Sequence, residues 1–239
     1  MAGIDSRRKC DDIILSGKVK VNGQVVDRLG ARVHPDDDVV EFDGKIIRPQ
    51  QNFEYILLHK PVRTVTTVKD EHRRKTVLDI VRIDARIFPV GRLDYMTSGA
   101  MLLTNDGRLA YYLTHPRFEV AKIYRVLLDR VIRPIDLHKL QTGIMLEGRM
   151  TAPCKAREMR VRDNGSLLEI ELHEGRNRQI RKMIDVLGYR VEELERVSFA
   201  GLEVKDLKPG EWRQLTAREI ENLQNLVERQ AKTLNIQDQ

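Results

Sequence analysis

Asp94 is the carboxylate in this chain that is best placed for chemistry. Ile87-Phe88-Pro89-Val90 reads as a buried strand, and it runs directly into Gly91-Arg92-Leu93-Asp94-Tyr95-Met96-Thr97-Ser98-Gly99 before another apolar strand begins. A charged loop therefore sits between two core strands. A carboxylate there can be ionised yet partly desolvated, which suits it to attack a sugar carbon or to stabilise an oxocarbenium-like centre. A loop aspartate that only bonds its own backbone fits the same residues. The second constellation is His173-Glu174-Gly175-Arg176-Asn177-Arg178-Gln179-Ile180-Arg181-Lys182, a strand end, a glycine turn and a basic helix start. Its arginines can form charge-assisted forks to phosphate or carboxylate, and Arg181 could pair with a buried aspartate. A solvated polar helix face is the alternative.

The elements that must position these residues fall into two groups. Ser6 can cap a helix through Cys10, Ile13 and Ile14, which Gly17 closes. Asn22-Gly23, with its readiness for positive φ, predicts a two-residue hairpin between Lys18–Val21 and Gln24–Val26. A Pro35-Asp36-Asp37-Asp38 turn leads to Val39–Phe42 and a second turn at Asp43-Gly44. Lys45 to Asn52 holds turn formers, Pro49 and consecutive glutamines, and reads as a linker. The division is then residues 1–44 as a small module, 45–54 as linker and 55–239 as the main domain.

In the main domain, strand-like runs cover Tyr55–Leu58, Ile87–Val90, Ala100–Leu103, Ile123–Leu128 and Leu167–Leu172. The clearest helix spans Asn177–Leu187, with Ile180, Met183, Ile184 and Leu187 on one stripe and Gly188 closing it. Thr216 and Glu219 fit a capping box for a C-terminal helix, with Leu215 and Ile220 as a hydrophobic staple. Strands and helices without regular alternation indicate an α+β fold.

Composition narrows the function classes. The 239 residues carry a net charge of +6 with 33% charged and 41% hydrophobic residues, and the pI is near 9.3. Polyanions such as nucleic acid attract such a chain, although many basic proteins bind none. Cys10 and Cys154 form neither a disulfide framework nor a zinc site. The first residues contain no apolar stretch like a signal peptide, and no later run is long enough to span a bilayer, so a cytoplasmic location is expected. The six histidines lack metal-ligand spacing.

The two constellations together resemble the pseudouridine synthases that modify bacterial ribosomal RNA, specifically the RsuA group, over nearly the whole chain. Gly91-Arg92-Leu93-Asp94 with Thr97-Ser98-Gly99 is similar to the catalytic motif, continued by Leu102-Leu103-Thr104-Asn105-Asp106-Gly107. Lys122-Ile123-Tyr124 resembles the segment that carries the active-site tyrosine, and Glu174 to Arg181 resembles the third motif. Gly3–Cys10 and Gly17–Gly23 are similar to an S-four-type RNA-binding domain. Relatives usually begin with a further amphipathic segment ahead of Ala2-Gly3, which implies a start upstream of Met1 or a truncated domain.

This resemblance implies isomerisation of a uridine in ribosomal RNA or a ribosomal-subunit precursor by a monomer that needs no metal and no cofactor. Asp94 would be the nucleophile, acting on a flipped nucleotide. Tyr124 would stack on uracil and could relay the C5 proton, Arg181 would hold Asp94, Arg92 would refill the vacated stack, and Ile180 would pack on the uracil ring. Phosphate contacts would be shared by Arg7, Arg8 and Lys9, by Arg73, Arg74 and Lys75, and by Arg176 and Arg178. The wording after Asp94 and the long C-terminal stretch resemble the large-subunit, RluB-like branch. The alternatives are a small-subunit enzyme, a noncatalytic ribosome-assembly factor and a glycosidase that would release free uracil.

Overall fold

Ser6 opens the first helix, α1 (Arg7–Leu15), by accepting a hydrogen bond from the Lys9 backbone N–H at 3.3 Å. The cap satisfies one of the donors that a helix start leaves free. The computed structural model describes residues 3–34, 37–48, 52–162 and 165–237, and the chain divides into two units, Met1–Phe53 and Glu54–Gln239.

In the first unit, Asn22 and Gly23 take φ of 51° and 80° and fold β1 (Val19–Val21) onto β2 (Gln24–Val26). Asn22 also works as a side chain: its Oδ1 accepts from the Val39 N–H and its Nδ2 donates to Asp38. These bonds bring β3 (Val40–Phe42) against β1. Asp43 and Gly44 then repeat the positive-φ pair at 47° and 75°. The chain turns back into β4 (Lys45–Ile47), which completes a sheet of order β2-β1-β3-β4. Lys45–Ile47 is thus an edge strand where the sequence reading has a linker. The Asp-Gly turn leaves β3 with an open edge, and Ile46 and Ile47 suit its pairing. Pro49, Gln50 and Gln51, like Pro35 and Asp36 of the expected turn, lie outside the described residues.

The second unit is built on β5 (Tyr55–Lys60), β6 (Phe88–Pro89), β7 (Ser98–Thr104), β8 (Lys122–Leu128), and the two-residue strands β9 (Met145–Leu146) and β10 (Arg149–Met150). It continues with β11 (Lys155–Arg162), β12 (Gly165–Leu172), β13 (Val191–Phe199), β14 (Leu202–Glu203) and β15 (Trp212–Gln214). Its helices are α2 (Val77–Ile80), α3 (Gly107–Thr114), α4 (Pro134–Thr142), α5 (Gln179–Val186) and α6 (Ala217–Gln237). The main sheet runs β11-β12-β8-β13-β7-β5-β15, with β14 beside β13 and β6 beside β7. Among the described strands of this sheet, β7 and β13 run parallel and the other pairs antiparallel.

The continuous apolar runs of β5 and β7 follow from burial on both faces. Tyr55, Leu57, Ala100 and Leu102 pack with Leu109 and Leu113 of α3 and Leu223 and Val227 of α6. Ile56, Leu58, Met101 and Leu103 point the other way and pack with Val77 of α2 and Leu93. A third core joins Val126, Leu168 and Leu194 of β8, β12 and β13 to α4 and α5 through Leu140, Ile180, Met183 and Ile184. Tyr124 touches both the second and the third core. The capping box of α6 forms between Thr216 and Glu219.

Among the differences from the sequence reading, three concern elements around the loop of Asp94 and the basic turn. The strand expected over Ile87–Val90 shortens to Phe88–Pro89, because proline cannot donate to a ladder. The helix expected from Asn177 starts at Gln179, because Arg178 is left-handed at φ 52°. And β13, central to the sheet, lies in a segment where the sequence reading placed no strand. Among the described residues no helix is long and apolar enough to cross a membrane.

Candidate active site

The site forms where β7 and β13 run side by side, with Ser98 opposite Glu195 and Gly99 opposite Arg196. The approach is so close that a Cβ on Gly99 would stand 2.2 Å from the Arg196 carbonyl oxygen, and Gly99 has φ +112°. Only glycine fits such a crossing. It fixes the end of the loop that carries Asp94.

That loop is pinned along its backbone. The Thr66 hydroxyl donates to the Leu93 carbonyl at 2.9 Å and accepts from the Leu93 N–H at 3.2 Å. The Arg63 N–H donates to Tyr95 O at 2.7 Å, Arg181 Nη2 to Met96 O at 2.9 Å, and Lys60 Nζ to Thr97 O at 2.8 Å. The Thr97 N–H closes the turn on Asp94 O at 3.0 Å. Among the described residues, no hydrogen bond ties the Asp94 carboxylate to its own loop. It stands half-buried on the wall of a cleft of about 260 Å³. The reading of Asp94 as a loop residue occupied with its own backbone has no support in this geometry.

The cleft brings together Arg92, Asp94, Tyr124, Arg176, Arg178 and Ile180. Tyr124 comes from β8, Ile180 from the first turn of α5, and Arg176 and Arg178 from the turn before it. Arg92 and Arg178 are exposed and, among the described residues, their side chains make no hydrogen bond or ion pair. Arg176 is occupied: it donates to Glu174 at 3.2 Å, to Arg149 O at 3.0 Å and to Met150 O. Its guanidinium clamps the β9–β10 hairpin, so the expected phosphate contact from Arg176 finds no free donor fork.

Arg181 also departs from expectation. It forms no ion pair with Asp94; its guanidinium bonds Met96 O and, at 3.4 Å, Val191 O, and its buried Nε has no partner. Arg181 therefore holds the loop that carries Asp94 through a backbone carbonyl. Its pKa is lowered by burial and by neighbouring Arg178, while the charge of Asp94 acts in the opposite sense.

Three cations that the sequence reading missed surround the same place. Lys60, at the end of β5, is 0% exposed, and burial presses its pKa down to about 8 against the pull of Asp94. Lys122 of β8 lines the cleft, donates to Val120 O at 2.6 Å and is likewise pressed to about 8 by burial and by Arg196. Arg196 is buried, with two donors on Ala100 O at 2.8 and 2.6 Å and its guanidinium 4.6 Å from the Phe199 ring centre. A charged residue closing an otherwise apolar strand, as Lys60 does, is the signal that could have found one of them.

The remaining expected RNA contacts fall in two segments, one in each unit. Arg7, Arg8 and Lys9 are exposed on α1 in the other unit, and Lys9 pairs with Asp5 at 3.3 Å. Arg73, Arg74 and Lys75 are exposed in the loop before α2, but Arg74 is taken up by Asp70 at 2.6 and 3.2 Å. That pairing holds the Asp70 carboxyl down to about 2.

A half-buried carboxylate that shares a cleft with a tyrosine, an isoleucine and several cations suits a reaction on a nucleoside. The family model for RNA pseudouridylate synthase matches residues 54–185, more than half the chain. The chain belongs to that family. A second model, the S4 domain, matches residues 1–39. An uncharacterized RNA pseudouridine synthase of Aquifex aeolicus is 40% identical over 93% of this chain and 90% of its own length. The ribosomal large subunit pseudouridine synthase B of Bacillus subtilis is 40% identical over 95% of this chain and 93% of its own. A crystal structure of a pseudouridylate synthase superposes with a TM-score of 0.67 at 26% identity, covering 93% of this chain and 95% of that one. The protein is thus an RNA pseudouridine synthase, an isomerase with an N-terminal RNA-binding domain.

Proposed function

We propose that this pseudouridine synthase isomerises a uridine of large-subunit ribosomal RNA, with Asp94 as the catalytic carboxylate. The observation that carries the assignment of Asp94 is its position: a carboxylate on the cleft wall, unbonded to a loop whose backbone is held at Leu93, Tyr95, Met96 and Thr97 by other elements. A fixed backbone with a free carboxylate is what nucleophilic attack requires. The large-subunit target rests on the similarity to the B. subtilis protein and on the motif resemblance.

In this reading the target uridine leaves its stack and enters the cleft. Asp94 adds to the ribose C1′ or assists departure of the base, and the N1–C1′ electron pair goes to the uracil. Lys60, Lys122 and Arg196 provide positive potential for that departing anion. Tyr124 and Ile180 offer faces to the rotating ring; C5 bonds to C1′ as the Asp94–C1′ bond of the addition route breaks and frees the carboxylate, and the Tyr124 phenol relays the C5 proton to solvent while N1 takes up a proton from solvent. Arg92 enters the vacated stack, Arg178 meets a phosphate, and Arg181 is a positioning residue that acts through Met96. In this reading the chain acts as a monomer.

The test is tritium release from C5-labelled ribosomal RNA transcripts of each subunit, with the Asp94→Asn variant alongside. Wild-type protein should release tritium from the large-subunit substrate without freeing uracil, and Asp94→Asn should fall by roughly 10⁴-fold while binding RNA normally. Turnover retained in Asp94→Asn would remove the residue from the mechanism. Free uracil would mark a hydrolase.

A further inference from the structure

Beyond the cleft, the end of α3 and the 3-10 turn Pro116–Phe118 build a small aromatic bed. Tyr111 lies 5.5 Å from Tyr112, 5.3 Å from His115 and 5.8 Å from Phe118, measured between ring centres. Phe118 is 8% exposed and forms the floor, whereas Tyr111 is 44% exposed. Arg117 lies across this bed: its guanidinium carbon is 4.9 Å from the Phe118 ring centre and 5.7 Å from that of Tyr111. Its Nη2 donates to the Tyr111 hydroxyl at 2.8 Å, and its backbone N–H donates to His115 Nδ1 at 3.3 Å.

The charge of Arg117 is unanswered. Arg74, Arg157 and Arg213 each fork onto a carboxylate, but among the described residues Arg117 has no acidic partner. The residues between Tyr111 and Arg117 connect this bed to the chemistry, because Thr114, His115 and Pro116 form part of the cleft wall that Asp94 also lines. A guanidinium held over an aromatic ring has lost its rotamer freedom before any ligand arrives, so a phosphate gains its attraction at little further entropic loss. An exposed tyrosine beside it presents a face on which a nucleobase can stack.

We propose that Tyr111 and Arg117 form a nucleotide-holding platform at the cleft rim, occupied by a nucleotide of the RNA strand next to the flipped uridine. Tyr111 stacks on its base and Arg117 binds its phosphate. A flipped nucleotide leaves its neighbours unstacked, and a platform beside the cleft restores to one of them the stacking it loses. The proposal rests on the family's RNA substrate and not on which RNA is the target.

The test uses the full chain and a fluorescein-labelled short oligouridylate titrated at several salt concentrations. Tyr111→Ala should weaken binding by roughly tenfold, and Tyr111→Phe, which keeps the ring, should weaken it much less. Arg117→Gln should reduce the slope of log affinity against log salt by about 0.7, one phosphate contact to a single strand. Thermal unfolding of each variant checks folding, and because Arg117 is exposed its substitution decides the matter even where Tyr111→Ala is unstable. An unchanged salt slope in Arg117→Gln overturns the phosphate contact, and unchanged affinity in a folded Tyr111→Ala overturns the stacking. Should no ribosomal transcript release tritium, the target assignment fails, and the oligouridylate titration still decides the platform.

Discussion

The two units of this enzyme are held together in different ways. Among the described residues of Met1–Phe53 none is buried, and Leu15, Val25 and Ile46 are more than half exposed. In Glu54–Gln239, Ile56, Leu57, Leu58, Met101, Leu102 and Leu103 are wholly buried, and three cores share the central strands. The small unit takes its shape from local instructions: a helix cap, two positive-φ turns and the side-chain bonds of Asn22. Hydrophobic burial contributes little there, as expected for so short a segment. The large unit takes its shape from contacts between residues far apart in sequence. The difference matches the division of labour, since a reaction needs atoms held in place, whereas an RNA-binding module can take part of its order from the RNA.

Glycine substitutions should separate the two regimes most sharply. Gly99→Ala puts a methyl group into the Arg196 backbone at a φ of +112°, and neither β7 nor β13 can yield without disturbing a core. A loss of about 3 kcal/mol or more is expected in the urea midpoint of the large unit. A Gly99→Ala protein with wild-type stability would mean that the β7–β13 crossing is looser than the structure has it.

Buried amines give a second contrast. The large unit holds Lys60 with its pKa pressed from 10.5 to about 8, and the lysines described in the small unit are exposed. A lowered folded-state pKa means that the unfolded chain binds more protons between pH 8 and 10.5. The stability contributed by Lys60 therefore rises as pH rises through that window, and is lost as pH falls through 8. Lys122, also near 8, acts in the same sense. Replacing Lys60 by Met should cut the rise in urea midpoint between pH 7.5 and 10 by about half, with Lys122 supplying the rest. An identical rise in both proteins would show that Lys60 is hydrated.

The small unit should respond mildly to its own glycine test. Gly23 has φ +80° but nothing within 4 Å of the site of a Cβ, so Gly23→Ala meets only backbone strain, about 1 kcal/mol. The loss is read from the thermal midpoint of the small unit. A loss as large as that of Gly99→Ala would reveal packing around the turn and erase the contrast between the units.

The same contrast explains what could be read from the sequence. Ser6, Asn22-Gly23, Thr216 and Glu219 act within a few residues, and each reading matched the structure. The strands of β5, β7, β8 and β12 were legible because their apolar runs are continuous or alternate cleanly. β13 was not, because Glu193, Glu195 and Arg196 break its pattern. The buried Arg196 finds acceptors on Ala100 across the parallel crossing, a partner almost one hundred residues away that no local pattern announces. At the site, Asp94, Tyr124 and Ile180 were legible through the motif resemblance and do meet in one cleft. The guanidinium groups of Arg181 and Arg176 make other contacts than those expected, since a sequence counts charges without showing which carbonyls already occupy them.

The smallest effect, on rate and not on stability, comes from the two cysteines, one in each unit. Cys154 is half-buried beside α4; its thiol donates to Leu140 O at 3.1 Å, and burial with the charge of Glu174 pushes its pKa up to about 11. At pH 8 about one Cys154 in a thousand is then a thiolate, the form that reacts. Cys10 lies on α1, where no described residue is buried, and among the described residues its thiol makes one weak bond, to Asp5 O at 3.5 Å. An aromatic disulfide reagent followed by mass spectrometry should therefore label Cys10 at least about a hundredfold faster than Cys154 in the native protein. In urea the two rates should converge, because both thiols then meet the same solvent. Equal native rates would show that the α4 region opens as readily as the small unit, and the large unit could no longer be regarded as the uniformly rigid partner.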